Sequence, residues 1–131
     1  MNAKERPWRT LVGAAVFVVL LALLTRALLT PIPAAAVEVV GGGDSSFWIS
    51  KTVHVAAYAF LAWMVTQFPI HARWRALILV GLILHGCLTE YLQQFVGRGS
   101  SPHDAILDTI GVGLGTTFGW LLRLGRQRCG R

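Results

Sequence analysis

Lys51, His54 and Tyr58 stand at i, i+3 and i+7, the spacing that puts three side chains on one face of a helix. Glu90, Gln93 and Gln94 do the same at i, i+3 and i+4, and Asp104 and Asp108 at i and i+4. Arg98 lies between these last two groups. Gathered at one place, these groups could do two kinds of chemistry. Lys51 and Arg98 could hold a phosphate while Glu90, Asp104 and Asp108 orient them. Alternatively, His54 could act as general base, with Glu90 as acid or orienting group. A metal site on His54, Glu90 and Asp104 would lack any recognisable ligand spacing, so neither a metal nor another cofactor is expected.

Plainer roles compete for the same residues. Lys51 can carry its charge out of an apolar layer along its long stem. Ser101-Pro102-His103-Asp104 reads as an N-cap, a proline at the first helical position and an acidic capping-box partner. Asp104 and Asp108 also gain from the positive end of a helix dipole. Glu90 resists such an account, because it interrupts an apolar run and requires a partner. His54 fits hydrogen-bonded packing as well as catalysis. His85 and Cys87, deeper in the same run, read as packing residues.

The elements that must position these groups are four apolar runs, at 11–29, 52–68, 76–92 and 105–124. Their lengths of 19, 17, 17 and 20 residues fit the roughly 17–25 residues that cross a bilayer as a helix. The 131-residue chain is 54% hydrophobic and only 14% charged, with mean hydropathy +0.58. A soluble domain carries about 25% charged residues, so an ordinary soluble fold and disorder are both excluded. The length allows one domain. These properties predict an all-α membrane protein, a bundle of four transmembrane helices spanning 1–131 as a single domain.

Basic residues orient the chain. Lys4, Arg6, Arg9, Arg73, Arg75, Arg123, Arg126, Arg128 and Arg131 fall on one side, against Arg26, Lys51 and Arg98 on the other. The positive-inside rule then puts both termini in the cytoplasm and the polar cluster outside. The net charge of +6 follows from membrane anchoring and contact with anionic lipids, not from nucleic-acid binding. The start also resembles a secretory signal, with Ala34-Ala35-Ala36 as a cleavage site. Arg26 interrupts that segment, and an uncleaved anchor is the reading taken. Gly111, Gly115 and Gly119 at four-residue spacing predict close helix approach, within the chain or between two copies. Two cysteines, Cys87 and Cys129, provide neither a disulfide framework nor a zinc spacing.

Taken in order, Lys51-x-x-His54-x-x-x-Tyr58, Glu90-Tyr91-Leu92-Gln93, Arg98, Asp104, and Gly111 with Gly115 resemble the VanZ-like family of small bacterial membrane proteins. The resemblance covers 50–119. Ser50 stands where the family usually has Asp, and Asp108 where it usually has Asn, which adds a carboxylate to the cluster. The resemblance implies a cell-envelope protein, since the family's founding member is linked to resistance to teicoplanin, a glycopeptide that acts outside the membrane. Three functions are therefore expected to compete. The first is binding or modifying the polar headgroup of a lipid or lipid-linked cell-wall intermediate, with a role in glycopeptide susceptibility. The second is intramembrane catalysis by His54 and Glu90. The third is a purely structural scaffold.

Overall fold

Proline at a first helical position loses no hydrogen bond, and long runs of Leu, Val and Ala continue the helix without interruption. Both conditions hold from Pro7, where α1 (Pro7–Leu29) begins. The computed structural model describes residues 7–30, 44–96 and 102–129, and all of its regular structure is helical. α2 (Asp44–Gln67) stops just before Phe68-Pro69, where the proline disfavours helical backbone in the residue ahead of it. α3 (Ala72–Gln93) follows after a short link and ends in one 3₁₀ turn, Gln94–Val96. α4 (Pro102–Cys129) opens on a proline with Asp104 in its first turn.

Each helix outruns its apolar run. α2 starts eight residues before 52 and takes in the Phe47-Trp48-Ile49 lead-in, and α4 runs five residues past 124. Hydropathy marks the stretch suited to hydrocarbon, whereas backbone hydrogen bonds continue through polar flanks until a cap or proline ends them.

Three of these helices are long and apolar enough to cross a membrane: Thr10–Leu29, Ala72–Val96 and His103–Arg128. Their apolar side chains mostly face outward, for only 6%, 28% and 28% of those windows is buried. Leu11, Val18, Leu77, Leu84, Leu114 and Phe118 are all more than half exposed. An apolar surface on every side suits lipid and would aggregate in water. The chain is accordingly a multi-pass membrane protein. α2 differs in composition: its inner face carries His54, Tyr58 and Thr66, and these lower its apolar character.

The contacts define the helix directions. Lys51 meets Asp104, Val55 and Tyr58 lie over Gly111, Ala59 over Gly115 and Thr66 over Gly119, so α2 and α4 run side by side in the same direction. Tyr58 reaches His85, while Arg75 reaches Phe68, so α3 runs against α2. Gly13 packs under Phe68, whereas Thr25 meets His85 and Gln93 meets Leu28, so α1 runs with α3.

In lipid the hydrophobic effect gives helices little reason to associate, so close packing must supply the attraction. The glycine stripe of α4 does so. A Cβ on Gly111 would stand 2.6 Å from the Val55 carbonyl oxygen, and one on Gly115 would overlap the Ala59 backbone. The stripe is therefore occupied by α2 of the same chain. Tyr58, Leu61, Ala62 and Val65 bury the opposing face, with Leu82 from α3, Val112 from α4 and Leu28 from α1 completing the core. Phe17 of α1 packs edge-on against Phe68 at 6.1 Å.

Candidate functional site

Because α2 and α4 run together and α3 runs against them, the starts of α2 and α4 share an end with the close of α3. That arrangement collects the polar residues. Lys51 forms an ion pair with Asp104, both side chains mostly covered. One turn deeper, His54 Nδ1 lies 3.0 Å from Asp108 Oδ1. This pair is buried, with side-chain exposures of 6% and 1%. His54 donates from Nδ1 to the carboxylate, which leaves Nε2 as the acid–base nitrogen of the ring.

Asp108 fits because position 86 has no side chain. A Cβ on Gly86 would stand 3.0 Å from both Cβ and Oδ2 of Asp108. Among the described residues, Asp108 Oδ2 is buried without a hydrogen-bond partner. A buried carboxylate oxygen without a donor is costly, so it points to a ligand or a water.

Tyr58 turns away from this pair and joins a second network. Its hydroxyl lies 2.9 Å from His85 Nδ1, and His85 Nε2 lies 2.8 Å from Thr25 Oγ1. Thr25 donates its own proton to the Leu21 carbonyl at 2.7 Å, so its oxygen accepts from His85. Nε2 therefore carries the His85 proton, and Nδ1 accepts from Tyr58. This chain links α2, α3 and α1.

The remaining expected residues divide. Glu90 is 5% exposed and Gln93 3%, both on the inner face of α3. Gln93 donates to the Leu28 carbonyl at 3.3 Å and so fastens α3 to α1. Arg98 and the Ser101 cap lie outside the described residues, as do the cleavage motif at 34–36 and the lysine and arginine at 4 and 6. Asp104 is more than a cap, because its carboxylate takes Lys51. His85 is a hydrogen-bonded link and not inert packing, and Cys87 is exposed. Among the described residues, no three His, Cys, Asp or Glu side chains converge as metal ligands.

Three participants escaped the sequence reading: His85, Thr25 and Gly86. A signal was present for the first two. Each is a polar residue within an otherwise apolar run, and such residues pair across helices.

What the arrangement offers is a layered, buried polar cluster: a cation–carboxylate pair outermost, a histidine–carboxylate pair one turn deeper, and a tyrosine–histidine–threonine chain beyond it. Compared with family models, curated proteins and solved structures, the chain matches none.

Proposed function

We propose that this chain is a VanZ-like envelope protein of the inner membrane, with four crossing helices and both termini in the cytoplasm. In this reading its outward polar cluster holds the headgroup of a membrane lipid or lipid-linked cell-wall intermediate. The single observation that carries the reading is the buried Asp108 oxygen without a donor, set beside His54 and beneath Lys51 and Asp104. A cluster that served packing alone would satisfy each buried oxygen within the protein. Lys51 and Arg98 supply positive charge for a phosphate, while Asp108, with Glu90 and Asp104, accepts from hydroxyl or amine groups. Val53 and Phe60 keep the outer face of α2 apolar, and its polar residues His54 and Thr66 are buried. A role in glycopeptide susceptibility follows from the resemblance, through the same envelope lipids.

Lipid-resolved mass spectrometry of membranes with and without the protein tests the proposal. One lipid or lipid-linked species should change, and His54→Ala or Glu90→Gln should abolish the change while the protein stays in the membrane. An identical lipid profile with and without the protein removes the reading.

The 3.0 Å contact between His54 and Asp108 favours a second reading, acid–base catalysis. A carboxylate on Nδ1 orients the imidazole, leaving Nε2 to move a proton. Binding alone predicts a bound lipid of unchanged structure. Catalysis predicts a chemically altered species that His54→Ala eliminates.

A further inference from the structure

The end of the molecule opposite the polar cluster carries a second constellation, about 25 Å away along α2 at 1.5 Å per residue. Arg75 of α3 and Arg123 of α4 converge there on one atom. Each brings an Nη2 to 3.2 Å from the Phe68 carbonyl oxygen at the end of α2. Arg75 Nη2 also reaches the Ile70 carbonyl at 3.1 Å, and Arg126 reaches Gln67 Oε1 at 3.5 Å.

Among the described residues, the charges at this end do not balance. The exposed carbonyls of a helix C-terminus carry about half a negative charge, and two guanidiniums bring two positive ones. Among the described side chains, the carboxylates are those of Glu90, Asp104 and Asp108, which belong to the other end of the helices. None of them pairs with Arg75, Arg123 or Arg126. Arg75 also stands in the opening turns of α3, where its own helix dipole repels a cation, and the N-cap His71 offers no side-chain acceptor. Each guanidinium has five N–H donors, few of which are used on these carbonyls. Arg75 Nε is buried and, among the described residues, has no acceptor.

We infer that Arg75 and Arg123 form a site for a phosphate group at this face of the membrane, with Arg126 at its edge. Planar forks on two neighbouring helices suit the tetrahedral oxygens of a phosphodiester, and an anion there relieves the repulsion between the two guanidiniums. The site lies where the membrane surface would present lipid phosphates. It is separate from the polar cluster and stands or falls independently of it.

Native mass spectrometry of the full chain in neutral detergent, titrated with phosphatidylglycerol or phosphatidylcholine, tests the inference. Wild type should retain phosphatidylglycerol preferentially. Arg75→Gln or Arg123→Gln should weaken that retention by about tenfold, the effect of losing a charge-assisted contact. Arg73→Gln and Arg128→Gln, which remove exposed charges, should leave it within about twofold. Arg123→Gln leaves Arg75 on the Phe68 carbonyl, so it keeps the test readable if Arg75→Gln fails to fold. Displacement by millimolar inorganic phosphate would assign the site to the free anion, and retention against it to the lipid; both support the site. Equal loss in all four variants, or retention unchanged in both Arg75→Gln and Arg123→Gln, overturns it.

Discussion

His54 and Tyr58 are one helical turn apart, yet each serves a different network. His54 is held by Asp108 beneath the outermost pair of the cluster, and Tyr58 is fully buried on His85. Two substitutions separate their roles. Tyr58→Phe removes the hydroxyl that donates to His85 Nδ1 and should cost about 0.6–1.7 kcal/mol, the range for hydrogen bonds between membrane helices. Thermal melts of Tyr58→Phe, His85→Ala and the double variant should show coupling between the two positions. Strictly additive losses would mean that the bond contributes nothing. Asp108→Asn keeps an acceptor for His54 and places an amide where the donorless oxygen lies. It should melt within about 1 kcal/mol of wild type, whereas Asp108→Ala leaves the histidine unpaired and should melt well below it. If Asn and Ala prove equally harmful, the charge on Asp108 holds the helices together, and the functional reading of its free oxygen weakens.

At the scale of the elements, α4 is two surfaces in one helix. Gly111, Gly115 and Gly119 press against α2, while Gly113 has open space where a Cβ would go. The spacing of four predicts such a face, and it is the partner helix that the structure adds. Gly115→Ala should lower folded yield sharply, because even a methyl group meets the Ala59 backbone. Gly113→Ala should be neutral or stabilising by up to about 1 kcal/mol through helix propensity. Size-exclusion profiles of the two variants in the same detergent check this pair. Equal profiles would mean that α2 and α4 do not meet along this face.

At the scale of the whole molecule, the number of crossings decides which compartments the two constellations face. Four crossings put both termini on one side; three put them on opposite sides. Alkaline phosphatase fused after Thr66 or Arg131 should stay inactive, and fusions within 30–50 or 97–102 should be active. An active fusion at Arg131 would overturn the four-crossing arrangement with both termini inside.

Much of this molecule is legible without its tertiary structure. Run lengths and scarce charge make the helices and their setting plain, and polar residues at run ends announce where the polar cluster forms. Asp104 and Asp108 at i and i+4 already share a face with Gly111, and the structure keeps that face whole. What the tertiary structure decided is the rotation of each helix about its axis. In a membrane, apolar residues surround a helix on every side, so no strong polar face declares which way is in. Thr25 and His85 stand out as polar residues in apolar runs, but only the packing of α1 on α3 makes them partners. Three carboxylates, Glu90, Asp104 and Asp108, stand at the Lys51 end of the bundle, and the ion pair with Asp104 follows from α2 and α4 running parallel at glycine distance. Composition sets the depth at which each polar group sits; close backbone approach sets which of them meet.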